Sequence, residues 1–258
     1  MLTRREERLL RSLHERRHRE AEGLFLAEGV RAVEDLLASP LAVRVAAAAS
    51  SLADTPRGRA LRQAVERAGV PLREVDEREL RALAGTETPQ GIVAAAEIPR
   101  HRLDALAGAP APAAVLVLDA VQDPGNLGTL ARTAEALGAA GLVALPGTVD
   151  PWNPKAVRAA MGATFRLPVV AAGWDEAAPW LAEHGYAVVA AVAGAPPLPR
   201  PPPPRAALVL GNEGAGVSPE TRAHAKLEAG VPLRGRAESL NVAAAGAILL
   251  HELLNLKA

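Results

Sequence analysis

Ala114-Val-Leu-Val-Leu-Asp119, running on into Asp123-Pro-Gly-Asn126-Leu-Gly128-Thr-Leu-Ala-Arg132, is the stretch whose reading decides the fold. The first part is apolar almost without interruption, as a strand buried on both faces must be. The second opens a helix over 126–137. The same grammar continues with strand 141–145, helix 154–161, strand 167–171, helix 175–184 and strand 186–192. Strand 206–210, a helix near 219–225, strand 227–231 and a terminal helix over 241–255 follow. Apolar strands alternating with helices predict an α/β fold with a parallel sheet covered on both faces. Three polar interruptions stand out against it: Asn126–Arg132, Gly211-Asn212-Glu213-Gly214, and Gly235 with Ser239-Leu240-Asn241. In open α/β sheets ligands bind outside the carboxyl ends of the strands, so three such edges predict one composite pocket and an enzyme.

The first hundred residues form a smaller α/β unit. A charged helix over 4–19 precedes a strand at Leu24–Ala27 and a helix to about Ala38. Strand Val43–Ala48, an amphipathic helix over 57–68 stopped by Gly69, strand Leu72–Val75, a short helix over 76–83 and strand Gly91–Ala96 complete it. Ala107-Gly-Ala-Pro-Ala-Pro112 is small and proline-punctuated, the best boundary in the chain. The predicted division is therefore an accessory domain at 1–105, a linker at 106–113 and a second domain at 114–258. The proline run 196–204 reads as a stiff connector.

Composition narrows the classes. The chain has 258 residues, 49% of them hydrophobic, a formal net charge of zero and no cysteine. Disulfides, iron–sulfur clusters and thiolate zinc sites are excluded, and so is bulk binding of nucleic acid by net charge alone. A local basic surface remains open. The helix over 4–19 carries Arg16, Arg17 and Arg19, and Arg31 follows; these four are candidate RNA contacts, although a solvated face with i,i+4 ion pairs is the competing reading. Aromatic residues are too few for the stacking platforms of single-strand RNA-binding sheets. His14 and His18 share a helix face without a third ligand nearby in sequence, so no metal site is expected. The charged start has no apolar signal core, and no uninterrupted apolar stretch reaches the ~20 residues that span a bilayer. A cytoplasmic protein with no membrane partner is the expectation. The arginine and proline richness fits a GC-rich genome or a thermophile, and composition does not separate them.

What the pocket lacks also informs. There is no glycine-rich GxGxxG turn after a first strand and no Walker lysine loop. Instead, Asp123–Ala134 resembles the first motif of the SpoU (TrmH-like) branch of SPOUT RNA methyltransferases. Leu208–Gly216 resembles its second motif and Val231–Val242 its third, in the family's order and spacing. Asn153-Pro154-Lys155-Ala-Val-Arg158-Ala-Ala-Met161-Gly162-Ala163 is similar to the family's linking helix. Phe25-Leu-Ala-Glu28-Gly29-Val30-Arg31 and Thr86-Glu-Thr-Pro89-Gln90-Gly91-Ile92 look like the accessory domain of ribosomal-RNA members, a domain similar to small ribosomal proteins.

The resemblance implies an α/β domain whose last segments thread a deep trefoil knot, a homodimer, and S-adenosyl-L-methionine (AdoMet) as cofactor. It carries cofactor contacts onto Leu210, Gly211, Asn212, Gly214, Val231, Leu233 and Leu240. The implied reaction is methyl transfer to a ribose 2′-hydroxyl of structured RNA, ribosomal RNA being favoured over transfer RNA by the accessory domain. A non-catalytic RNA-binding protein that keeps the fold is the alternative from another class. The resemblance makes Arg132 the central catalytic residue, supported by Asn126, Glu213, Ser239 and Asn241. A guanidinium stays protonated in proteins, so a clamp on the adjacent phosphate that stabilises a developing alkoxide suits Arg132 better than a base. Ala243, Ala244 and Ala245 follow Asn241-Val242 where the family usually places a serine, a departure that removes one secondary hydrogen bond.

Overall fold

The computed structural model describes residues 1–255, so the end of the expected second domain, 256–258, lies outside the described residues. In chain order the elements are α1 (Arg4–Ser12), α2 (Arg16–Glu22), β1 (Leu24–Glu28), α3 (Val30–Leu37) and β2 (Val43–Ala48). Then come α4 (Pro56–Arg67), β3 (Leu72–Glu74), α5 (Glu77–Leu83), β4 (Ile92–Glu97), β5 (Ala113–Asp119) and α6 (Pro124–Leu137). They are followed by β6 (Gly141–Ala144), α7 (Pro154–Ala160), β7 (Val169–Ala171), α8 (Trp174–Glu183) and β8 (Ala187–Ala191). The chain closes with β9 (Arg205–Gly211), α9 (Pro219–His224), β10 (Leu227–Ala229) and α10 (Val242–Leu254).

Local chemistry explains where helices begin. Thr3 with Glu6 and Asp76 with Glu79 form capping boxes at α1 and α5, each satisfying two backbone donors at a helix start. Proline occupies the first turn of α4, α6, α7 and α9, where its missing N–H costs nothing. The continuous helix expected over 4–19 is broken. α1 ends at Ser12 with Leu13 as its C-cap, and Glu15 is extended at φ −97°, ψ 131°, before α2 begins. The chain turns there because buried Leu10 and Leu13 dock on the sheet and α2 takes a new direction toward β1.

Two compact units result: Met1–Pro99 with Trp152–Arg166, and Arg100–Pro151 with Leu167–Ala258. In the first, four strands lie in the order β1-β4-β2-β3, antiparallel except for the β2–β3 pair. Alternation along the strands splits its core into two layers. Leu24, Leu26, Val45 and Val93 face Leu10, Leu13, Leu80 and Leu83. Phe25, Ala27, Ala46 and Ile92 face the other way, toward Trp152, Val157 and Phe165. The Phe25 ring lies 4.8 Å from Trp152 and 5.5 Å from Phe165, centroid to centroid. That packing is why the helix at 154–160 belongs to the first unit, whereas the sequence reading counts it with the second domain.

The second unit is a six-stranded parallel sheet in the order β10-β8-β9-β5-β6-β7. Val115, Val117, Val143 and Val209 face a layer built on Trp174, Trp180 and Leu181 of α8. The opposite face is covered by α6 and α10. A Cβ on Gly246 of α10 would stand 2.5 Å from Leu130 of α6 and 2.6 Å from Leu210 of β9, so glycine permits this close helix–sheet approach. Leu118 pairs with Leu210 and Asp119 with Gly211 across β5–β9, which places the carboxyl ends of those two strands side by side. No helix among the described residues is long and apolar enough to cross a membrane.

Candidate active site

The loops leaving β5 and β9 meet at Glu213. Its carboxylate accepts from the backbone N–H groups of Gln122 and Asp123, each at 3.1 Å, and from Asn126 Nδ2 at 3.0 Å. Burial pushes the Glu213 carboxyl upward, but the hydrogen bonds from Asn126, Gln122 and Asp123 outweigh it and hold the group below the ordinary carboxylate value. Asn126 is fixed from both ends: its Oδ1 accepts from Asn241 Nδ2 at 3.0 Å, and its backbone N–H donates to the α6 cap Asp123 at 2.9 Å. Asn241 in turn caps α10, its Oδ1 accepting from Ala243 and Ala244 at 2.9 and 3.3 Å. One relay, Glu213–Asn126–Asn241, therefore joins all three polar segments.

Beside this relay lies an open cleft of about 230 Å³, walled by Leu210, Gly211, Asn212, Val231, Leu233, Ser239 and Leu240 among others. Leu233 and Leu240 are 39% and 37% exposed, unusual for leucines that share one cleft. Small residues, among them Ala191, Gly194 and Gly230, also line it. This chemistry fits AdoMet: leucine side chains for an adenine face and main-chain donors and acceptors for its edge.

The glycines and Asn212 shape the loop after β9 in different ways. A Cβ on Gly211 would lie 2.2 Å from the Gly216 and Val217 backbone, so close approach there is obligatory. At Gly214 the nearest atom would be 3.6 Å away, so the loop itself does not demand glycine at that position. Asn212 lines the cleft, but its side chain is spent internally. Nδ2 donates to Ala120 O at 3.0 Å, and Oδ1 accepts from Gly214 and Ala215, each at 3.0 Å. Its side chain holds the loop in shape.

Arg132 sits in the middle of α6 rather than at its start, on an exposed position and outside the residues that wall the cleft. Ser239 is exposed in the loop before α10 and lines the cleft. In the first unit Arg16 and Arg17 are exposed and pair with Glu20 and Glu15, while Arg31 is exposed at the start of α3. Arg19 corrects the expectation: it is 1% exposed and its Nη1 donates to Leu13 O at 2.7 Å. It satisfies a carbonyl at the end of α1 and presents no charge to RNA.

Two residues escaped the sequence reading. Asp119 is buried at the end of β5, where its Oδ2 accepts from Ser218 N at 2.6 Å and Thr221 Oγ1 at 2.7 Å, anchoring the loop after β9. Ala120 has φ 57°, a strained left-handed conformation for a residue with a Cβ, and it aims its carbonyl at Asn212. A buried carboxylate ending an apolar strand was a usable signal for Asp119; nothing in the sequence marks Ala120. Among the described residues no group of three or more His, Asp or Glu side chains is arranged to hold a metal.

A parallel α/β sheet with three polar loops, one relay and an apolar cleft at its carboxyl edge is the arrangement in which such sheets bind ligands. Comparison with known proteins identifies the class. Residues 113–251 match the SpoU rRNA methylase family, and residues 8–94 match the MRM3-like substrate binding domain. The chain belongs to the SpoU rRNA methylase family. It is 38% identical over 245 residues to the 23S rRNA (guanosine(2553)-2′-O)-methyltransferase RlmP of Bacillus subtilis, covering 94% of this chain and 93% of that one. The AdoMet-bound rRNA methyltransferase of Sinorhizobium meliloti superposes with a TM-score of 0.84 at 30% identity, covering 98% and 95% of the two chains. AviRb of Streptomyces viridochromogenes with AdoMet superposes at 0.85 and 26% identity, covering 98% and 97%.

Proposed function

We propose that this protein is an AdoMet-dependent methyltransferase that acts on a ribose 2′-hydroxyl of ribosomal RNA. The observation that carries the reading is the Glu213–Asn126–Asn241 relay beside the apolar cleft. Bound in that cleft, AdoMet supplies a methyl group activated on a sulfonium. Leu233 and Leu240 hold its apolar surface, and Gly211 and Val231 offer backbone groups. Glu213 is held as a carboxylate by its donors, so it orients the loop after β5 instead of exchanging a proton. Asn126 and Asn241 keep the starts of α6 and α10 in register with that loop. Arg132 grips an RNA phosphate and stabilises the negative charge that develops on the 2′-oxygen, whose proton passes to solvent water as the methyl group moves from sulfur to oxygen. Alignment of the attacking oxygen, more than proton transfer, is the work this rigid frame performs.

The reading includes a trefoil knot, a homodimer and a cytoplasmic setting. Support for the knot comes from α10, which packs against Leu130 and Leu210 after β10 has been laid at the sheet edge beside β8. Support for the dimer comes from Ile248 of α10, an exposed large apolar residue at 38%. Incubation with labelled AdoMet and separate pools of unmodified ribosomal and transfer RNA tests the function. Label entering ribosomal RNA is the expected result; label confined to transfer RNA, or binding of RNA without incorporation, would contradict it.

A further inference from the structure

The first unit contains a second cavity, of about 420 Å³, bordered by the loop Thr86–Gln90, the start of α3 and the end of α7. Its base is an ion pair built on a buried carboxylate. Glu28 is 8% exposed, and its Oε2 accepts from Arg158 Nη1 at 3.1 Å and from Gly85 N at 3.0 Å. Its Oε1 accepts from the Thr86 hydroxyl. Both carboxylate oxygens are thereby committed. The Arg158 guanidinium is pinned through one nitrogen, while its side chain keeps 31% exposure along the cavity wall. Gly85 makes room for it, since a Cβ there would stand 3.1 Å from Arg158 Nη1. Arg31, exposed on α3, adds a second positive charge to the cavity wall, and Thr88 supplies a hydroxyl.

Such a pair adds little to stability, because desolvation of the buried carboxylate offsets much of its attraction. Its effect here is to fix a planar fork in a cavity that carries a second cation. A fixed guanidinium beside another arginine and a hydroxyl matches a phosphate oxyanion, which accepts from the fork in bidentate fashion. We propose that this pocket binds a backbone phosphate of the substrate RNA, with Arg158 as its anchor and Arg31 and Thr88 closing around the oxyanion. The proposal rests on the reading of the protein as a ribosomal RNA methyltransferase and adds an RNA-positioning site separate from the cofactor cleft.

The test uses the full chain and an unmodified 23S rRNA transcript. Arg158→Lys keeps a cation beside Glu28 but removes the fork; Arg31→Gln and Thr88→Val alter the wall where no buried charge is left uncompensated. Each variant should bind the transcript roughly three- to ten-fold more weakly at fixed salt, with AdoMet affinity unchanged. Arg31→Gln should also lower the slope of log affinity against log salt by about one. Unchanged affinity and slope in all three, with wild type still methylating the transcript, would overturn the pocket and leave the function standing. A wild type that neither binds nor methylates the transcript would overturn both. Saturation by inorganic phosphate that leaves RNA affinity unmoved would assign the pocket to a free anion and overturn the proposal.

Discussion

Asn126 Nδ2 donates to Glu213 Oε1 at 3.0 Å, so the first turn of α6 and the loop after β9, 87 residues apart in sequence, share one hydrogen bond at the mouth of the cofactor cleft. Because Asn126 also accepts from Asn241, removing Asn126 breaks both links. Asn126→Ala and Glu213→Ala should each reduce kcat/KM by one to two orders of magnitude. Their double mutant should lose far less than the product of the two, a coupling of about 1–2 kcal/mol. Steady-state kinetics of the four proteins checks this; strictly additive losses would separate the two residues.

The charge on Glu213 has a pH signature. Its folded-state value lies below the ordinary 4.5, so the stability it contributes is fully present above that value and is lost as pH falls through the lower one. Glu6 behaves alike in the first unit, where its hydrogen bond with Arg73 lowers it to about 2. The Tm gap between wild type and Glu6→Gln should stay constant from neutral pH to about 5, then close toward pH 2. Glu213→Gln should show a gap that closes in the same direction. Thermal denaturation across this range measures both.

Gly211 and Gly214 should part company. Gly211→Ala drives a Cβ into the Gly216 and Val217 backbone and should abolish AdoMet binding. Gly214→Ala meets nothing closer than 3.6 Å within the chain, so the fold should survive it with Tm shifted by no more than about a degree or two. Any loss of activity in Gly214→Ala then reports the approach of a ligand. Calorimetric AdoMet titration and melting curves distinguish the two variants.

Arg19 and Arg17 form a similar contrast two positions apart. Arg19→Ala empties a buried site and leaves the Leu13 carbonyl without this donor, which should cost about 2–4 kcal/mol of stability. Arg17→Ala, on an exposed side chain, should leave stability within ~0.5 kcal/mol. Urea denaturation followed by intrinsic fluorescence reads the difference directly.

These cases show how far the sequence carries. The strand read at 114–119, the helix read at 126–137 and the sheet built around them were legible to within two residues, because apolar runs of strand length alternate with capped helices. The charged face of 4–19 misled about Arg19, since charge pattern does not reveal a helix break at Leu13–Glu15 that swings one arginine inward. The helix at 154–160 looked like one more crossover of the second domain, and only the packing of Trp152 and Phe165 on Phe25 assigns it to the first unit. Site composition was readable as three polar segments. Their joining through Asn126, and the inward commitment of Asn212, depend on long-range geometry that no local pattern encodes.

The central claim is methylation of a ribose 2′-oxygen in ribosomal RNA, and alkaline hydrolysis of the labelled product tests it most directly. A 2′-O-methyl group removes the nucleophile that cleaves the next phosphodiester bond. The account predicts that label from AdoMet stays in an alkali-resistant dinucleotide from ribosomal RNA. Label released entirely in mononucleotides would place the methyl group on a base and contradict it.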